Sequence, residues 1–147
     1  MIPGPDKIKA VLGLDVAQET VSIYDALTGK ITCVANEAKA LRAALRPVRH
    51  YDLAVCEATG GHEDVLLAVL HKLAIPAHRA DAAKVRAYIA SFGKRGKTDP
   101  LDARWLARYG QDRNASLERW QPADPEQQLL EALVARRQDL VAMRVME

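Results

Sequence analysis

The sequence has few cysteines, no long apolar run and little net charge. Its 147 residues include only two cysteines, Cys33 and Cys56, which lack the CxxC spacing of zinc and redox motifs. No apolar run approaches the ~20 residues that a membrane-spanning helix needs, and no signal peptide opens the chain. We therefore expect a cytoplasmic protein in which both cysteines are reduced, small residues of the core.

What is present is typical of a globular chain with one basic region. Apolar residues make up 49% of the sequence, and the length suits one domain with an appended helix. Segment 78–108 holds eight Lys or Arg against three Asp, so it carries +5 while the rest of the chain carries −3. This concentration of charge predicts a polyanionic partner, although a solvated helix surface would also explain it.

Hydrophobic periodicity predicts a mixed α/β fold. Short turns join the first three strands, which indicates an antiparallel meander, and helical crossovers then add parallel strands on the way to a helix-flanked sheet. We expect Asn36 to cap the first helix, Pro47 to end it and the fourth strand to be buried. The predicted strands are 9–18, 20–26, 31–35, 51–60 and 75–81, and the predicted helices are 36–49, 62–74, 82–93, 99–113 and 124–147.

The last predicted helix carries a wide apolar stripe. Such a stripe favours a partner helix, so we expect a coiled-coil-like segment that forms homo-oligomers. The pattern stops without a capping glycine or a helix breaker, which suggests that a longer protein continues beyond it. We accordingly assign 1–115 to a catalytic domain and 116–147 to a linker and the start of this long helix.

Four acidic residues are candidates for one site. Asp15 and Glu57 each end an apolar strand, and the two strands can be neighbours with both acids at one end. Asp99 and Asp102 are three positions apart and would share a helix face behind the basic loop. The alternative is that Asp99 is a helix cap with Pro100 as the first helical residue, since the same Asp-Pro signature recurs at Asp124 without basic neighbours.

Converging carboxylates repel one another unless cations neutralise them. Oxygen ligands without His or Cys favour Mg²⁺ or Mn²⁺, and two such ions about 4 Å apart can bind the attacking and leaving oxygens of a phosphodiester. Basic side chains nearby would then hold the nucleic-acid backbone on either side of the reacting phosphate. The candidates for that role are Lys94, Arg95, Lys97 and Arg104.

Three stretches resemble a known family. "GLDVAQ", "CEATGGHE" and "VRAYIASFGKRGKTDPLDARWLARYG" are similar to the amino-terminal DEDD domain of a bacterial insertion-sequence transposase group, related to Piv-type DNA invertases. The most specific element is a lysine followed, after one residue, by Asp-x-x-Asp-Ala, here Lys97 to Ala103. The likeness extends from about residue 10 to the end of the chain.

The resemblance implies an RNase H-like fold of the RuvC type, with Asp15, Glu57, Asp99 and Asp102 as the metal-binding tetrad. It implies DNA as substrate and a structured guide RNA encoded by the same element as a further partner. It also implies a following domain with a nucleophilic serine, so this chain would be the metal-binding half of a recombinase.

Two other functions fit parts of the sequence. An actin-like sugar kinase shares a similar three-stranded opening, here 12–30, but that alternative leaves the acids behind the basic loop unexplained. A non-catalytic module that binds nucleic acid and oligomerises through the last helix is the second alternative. Metal binding and strand breakage would distinguish the recombinase from both.

Overall fold

The computed structural model describes residues 10–93 and 102–146. Five strands form one mixed sheet in the order β3-β2-β1-β4-β5. The first three strands pair antiparallel, whereas β4 lies parallel to β1 and β5 lies parallel to β4. The predicted meander and crossovers are confirmed. The strands are β1 (Val11–Val16), β2 (Thr20–Asp25), β3 (Ile31–Ala35), β4 (Leu53–Glu57) and β5 (Ala77–Ala80).

Helices cover both faces of this sheet, as alternating strands and crossovers require. One face, with Leu12, Leu14 and Cys56, packs against α1 and α2. The other, with Val11 and Val55, packs against α3 and α4. The helices in these contacts and beyond are α1 (Ala38–Leu45), α2 (Asp64–Lys72), α3 (Ala82–Ala90), α4 (Ala103–Arg113) and α5 (Pro125–Met146).

The strand faces agree with the alternation in the sequence. Val11 belongs to the core beneath α4, while Leu12, Leu14 and Val16 belong to the opposite core. Asp15 is the one exposed residue of β1. Strand β4 is buried along its length up to Glu57, which is half-buried, so the predicted interior strand is confirmed.

Two predictions about single residues in the meander are wrong. Cys33 is exposed, because β3 is an edge strand with little cover; only Cys56 is buried. Asn36 does not cap α1, since Glu37 holds the cap position and makes no side-chain cap. Pro47 behaves as expected, because α1 ends at Leu45 and passes into a short 3₁₀ turn.

The start of α4 also differs from the sequence prediction. The helix begins at Ala103, and Asp102 is its cap residue rather than a residue of its first turn. Asp102 has an extended backbone with φ −136° and ψ −179°, as a cap residue does, so it precedes the helix instead of lying within it. Asp99 itself lies outside the described residues, as do Lys94, Arg95 and Lys97.

The linker packs on the sheet, while the last helix is exposed. The Trp120 N–H donates to the Ala77 carbonyl oxygen at 2.6 Å, and the half-buried indole packs against the core beneath α1 and α2. Helix α5 keeps its apolar side chains in solvent, with Leu129 and Leu130 each 62% exposed. None of the described helices has an apolar stretch of the length that spanning a bilayer requires.

Candidate active site

Parallel pairing brings two of the predicted acids together. Leu14 of β1 lies opposite Cys56 of β4, so the next residue on each strand, Asp15 and Glu57, falls at the same edge of the sheet. Val11 and Val55 lie in the core beneath α4, and alternation by two places Asp15 and Glu57 on that face. The expected convergence of these two strand ends is confirmed by the register.

Glycines in the strand and the helix allow α4 to lie close to this face. A Cβ built on Gly13 would come 1.8 Å from the Ala103 carbonyl oxygen, so only glycine fits beneath the first turn of α4. At the other end of the helix, a Cβ on Gly110 would come 2.7 Å from a methyl of Val55 and 3.2 Å from one of Val11. The helix therefore runs back along β1, with its amino terminus at the edge that carries Asp15.

Asp102 reaches the site from this helix terminus. Its carboxylate accepts a hydrogen bond from the Trp105 N–H at 3.1 Å, which satisfies one of the helix's free amide groups. Partial burial raises the pKa of the Asp15 carboxyl, and the negative charge of Asp102 raises it further. Asp15 and Asp102 are thus electrostatic neighbours although they lie 87 positions apart in the sequence.

Glu57 joins the same group of charges. Burial raises the pKa of its carboxyl, the Arg86 guanidinium opposes this by stabilising the ionised form, and the Asp15 charge adds to the increase. Arg86 lies on α3, which follows β5, the strand beside β4. In the sequence Arg86 is one of the eight basic residues of segment 78–108, and no motif distinguishes it as a site residue.

The three described carboxylates have the ligand type that a hard divalent cation prefers, but they are not arranged as a metal site. They supply only oxygen ligands, and their mutual repulsion favours a positive ion between them. In residues 10–93 and 102–146, no group of three or more His, Cys, Asp or Glu side chains is arranged so that it could hold a metal ion. The fourth predicted ligand, Asp99, falls outside those residues.

A buried acid organises the loop that follows Glu57. Glu63 is 2% exposed and accepts hydrogen bonds from Thr59 N at 3.0 Å, Thr59 Oγ1 at 2.6 Å and Gly61 N at 3.2 Å. Burial acts to raise the pKa of Glu63, but the bonds from Thr59 and Gly61 outweigh it and the pKa is lowered. Arg79 of β5 lies 3.9 Å away and adds a weak ion pair. The sequence pattern predicts Glu63 only as a residue of the helix over 62–74, and no motif indicates its role in the loop.

Asn36 connects the two chain segments that leave the site. Its Nδ2 donates to the Ala17 carbonyl at 3.0 Å, two residues after Asp15, and to the His62 carbonyl at 2.9 Å, beyond Glu57. One amide group therefore holds the exits of β1 and β4 at a set separation. The sequence predicted Asn36 as a helix cap, whereas its role in the structure is to bridge these two segments.

Of the four predicted phosphate-binding residues, the structure describes Arg104. It lies exposed in the first turn of α4, two residues from Asp102. Trp105 and Tyr109 of the same helix pack with Tyr88 of α3, with ring centroids at 6.2 Å and 5.3 Å from it. Both rings therefore contribute to the packing between α3 and α4.

Comparisons with known proteins agree on family and fold. A family model for DEDD transposases of the IS110 type, described as "Transposase", matches residues 12–147. The structure of T. thermophilus RuvC in complex with Holliday junction substrate is similar, with a TM-score of 0.52 and 11% identity. A second Thermus thermophilus RuvC structure gives 0.51 and 12%. Both alignments cover 76% of this chain and 99% of the RuvC chain. A comparison with curated protein sequences gave no match.

These similarities confirm an RNase H-like, RuvC-type fold, including the mixed sheet and the long last helix. They do not bear on the kinship with Piv-type invertases, which stays a prediction. The division at residue 115 also stays a prediction.

Proposed function

The chain belongs to the IS110-type DEDD transposase family, and on that premise we propose that it is the metal-binding domain of a DNA-cleaving recombinase. Asp15, Glu57, Asp99 and Asp102 are the proposed ligands of two Mg²⁺ or Mn²⁺ ions. The observation that supports this most directly is geometric: the register places Asp15 and Glu57 at one edge of the sheet, and the first turn of α4, capped by Asp102, packs on Gly13 of the same strand. The sugar-kinase alternative is set aside, because the family is one of transposases.

The bound ions would supply positive charge at the attacking and leaving oxygens of a phosphodiester. The chain's own residues have separate tasks. Strands β1 and β4 hold Asp15 and Glu57 on a rigid sheet, and the N-cap geometry holds Asp102. Arg86 favours the ionised Glu57 that a metal requires. Arg104, together with Lys94, Arg95 and Lys97, would bind phosphates by charge.

Partners are proposed from the same family relationship and from the charge. One of the similar RuvC structures was solved with a Holliday junction substrate, and we expect DNA to bind this chain at the sheet edge that carries Asp15 and Glu57. A structured guide RNA and a following domain with a nucleophilic serine are further parts of the proposal. We expect the whole enzyme to act in the cytoplasm.

Helix α5 supports a role in assembly. Its apolar side chains are exposed along its whole length, from Leu129 to Val145 at 81% exposure. A partner helix would remove this surface from water, so homo-oligomerisation through α5 belongs to the proposal. An assembly module that lacks metal chemistry remains the second candidate function, and it shares this observation.

Metal titration tests the proposal and separates the two candidates. Mn²⁺ binding is measured by calorimetry for the chain and for the Asp15→Asn, Glu57→Gln and Asp102→Asn variants, with Asp124→Asn as matched control. Asp124 also caps a helix, since its carboxylate accepts a hydrogen bond from the Glu126 N–H at 3.1 Å. It is not one of the proposed metal ligands. We expect each of the three site variants to lose at least tenfold in Mn²⁺ affinity and the control to lose nothing.

Cleavage gives the second measurement. The same substitutions in the whole protein, with its guide RNA, should abolish strand breakage while DNA binding persists. Unchanged Mn²⁺ affinity and unchanged breakage in all three site variants would eliminate the tetrad and leave the assembly function.

A further inference from the structure

Two aromatic rings and an arginine form a partly exposed cluster beside Asp102, one of the proposed metal ligands. Phe92 is the only phenylalanine of the chain and is 43% exposed just after α3. The guanidinium carbon of Arg108 lies 4.3 Å from the centroid of the Phe92 ring. It lies 5.5 Å from the Trp105 ring as well, so the guanidinium covers the junction of the two rings. We call Phe92, Trp105 and Arg108 the stacking surface.

The stacking surface has a rigid base. Tyr88 is 5% exposed and meets Phe92 edge-on, with centroids 5.2 Å apart and an interplanar angle of 79°. Tyr88 also donates a short hydrogen bond from its hydroxyl to Asp112 of α4. Trp105 lies 5.5 Å from Phe92 at 55°. One side of the Phe92 ring thus packs against α3 and α4.

The surface is connected to the carboxylate cluster through a single residue. Trp105 contributes its ring to the stacking surface, and its backbone N–H donates to the Asp102 carboxylate at 3.1 Å. Arg104 and Arg108 are both exposed and lie one helical turn apart on α4. A strand whose phosphate reached the carboxylates would therefore pass an apolar and cationic surface next to Asp102.

We propose that the stacking surface binds an unpaired DNA base next to the phosphate that the carboxylate site acts on. Bases stack on aromatic rings and on the planes of arginine guanidinium groups, and such contacts tolerate any base. An arginine that already lies over a phenylalanine presents a preorganised plane with a positive charge. This inference rests on the proposed function, and it adds that the substrate is locally unpaired at the site.

A simpler account is that Arg108 only covers apolar surface with its stem. The two accounts differ in what they require of side-chain shape. If Arg108 only covers apolar surface, a lysine at position 108 and a leucine at position 92 would serve equally well. If the residues stack on a base, both side chains must be planar. Arg108→Lys and Phe92→Leu would then weaken base binding, whereas Phe92→Tyr would preserve it.

The experiment compares single-stranded DNA with duplex DNA of the same sequence, without divalent metal. Fluorescence anisotropy measures the affinities of the chain and of Phe92→Leu, Phe92→Tyr and Arg108→Lys. Arg113→Lys is the matched control, because Arg113 lies 5.6 Å from the centroid of the buried Tyr88 ring. We expect Phe92→Leu and Arg108→Lys to lose about tenfold in single-strand affinity and to keep their duplex affinity. Phe92→Tyr and Arg113→Lys should match the original chain.

Equal single-strand affinity of Phe92→Leu and the original chain would overturn the inference, as would equal losses on both DNA forms. Circular dichroism melts of each variant ensure that a loss is not due to unfolding. Mn²⁺ titration of the same proteins distinguishes this failure from failure of the proposed function. If only the stacking inference is wrong, Phe92→Leu and the original chain both bind Mn²⁺; if the carboxylate site is wrong, neither does.

Discussion

Gly13 lies directly beneath Ala103, so closely that a methyl group on Gly13 would come 1.8 Å from the Ala103 carbonyl oxygen. The contact is between two backbones, so no side-chain rotation can relieve it. It holds the amino terminus of α4, and with it Asp102, against the strand that carries Asp15. A residue without a side chain is therefore the structural link between two proposed metal ligands.

Gly13→Ala should displace α4 or unfold the domain. We expect a loss of more than about 3 kcal/mol in the free energy of unfolding, at the upper end of overpacking penalties. Gly29→Ala is the matched control, since it adds the same methyl group to open space at a positive φ of 76° and should cost only about 1 kcal/mol. Urea denaturation measures both, and equal losses would contradict the close packing of α4 on β1.

Asp102 should have two separable roles. Asparagine caps helices about as well as aspartate, whereas alanine does not. Asp102→Asn should keep the free energy of unfolding within about 0.5 kcal/mol, and Asp102→Ala should lose about 1 kcal/mol. Both should lose Mn²⁺ affinity equally, since both lack the charge. An Asp102→Asn protein that binds Mn²⁺ normally would restrict Asp102 to capping.

The proposed ligands should destabilise the metal-free protein at neutral pH. The fold raises the pKa of Asp15 and of Glu57, so the folded state holds their protons more tightly than the unfolded state does. Their contribution to stability is therefore largest below the unfolded pKa and declines as pH rises through the folded pKa. Asp15→Asn should consequently raise the melting temperature at pH 7 without metal.

Scanning calorimetry with and without Mn²⁺ tests this trade-off. Metal should raise the melting temperature of the original chain more than that of Asp15→Asn, because binding to the folded state stabilises it. Asp139→Asn, an exposed change on α5, is the control and should alter neither value. A lower melting temperature for metal-free Asp15→Asn would show that the Asp15 charge stabilises the fold.

Glu63 should act in the opposite direction. Its pKa is lowered from 4.5 by hydrogen bonds that outweigh burial, so its stabilising contribution is present above that value and is lost as pH falls through the lower folded pKa. Glu63→Gln keeps the shape but not the charge, and we expect it to lose about 2 kcal/mol at pH 7. The loss should shrink as the pH falls below 4.5. Unfolding free energies measured from pH 7 to pH 3 should converge for the two proteins, and a constant difference would contradict the ionised network.

Much of the fold could be predicted from the sequence because hydrophobic alternation and turn residues act over a few positions. Alternation in β1 assigned Asp15 and Gly13 to one face, and the short turns around Gly29 required an antiparallel meander. The resemblance in "CEATGGHE" and in the segment before "DARWLARYG" pointed to the same family that matches residues 12–147. The strand ends that carry Asp15 and Glu57 could be paired in advance, since one crossover makes two parallel strands neighbours.

Several local predictions failed where a competing contact was stronger. Asparagine is a preferred helix-cap residue. The side-chain amide of Asn36 nevertheless bridges the Ala17 and His62 carbonyls, which lie 19 and 26 positions away. Cys33 has an apolar neighbourhood in sequence but lies on an edge strand. Asp102, read as a first-turn residue, is the cap itself.

The sequence by itself determined the order of strands and helices, the faces of β1 and the candidate acids, since periodicity, turn chemistry and residue type act over a few positions. Only the tertiary structure decided that α4 runs back along β1 to bring Asp102 to Asp15, that Arg86 faces Glu57 and that Arg108 lies over Phe92. Those relationships depend on how closely two backbones approach and on charges brought together across long sequence separations. Neither is encoded in the spacing of residues along the chain.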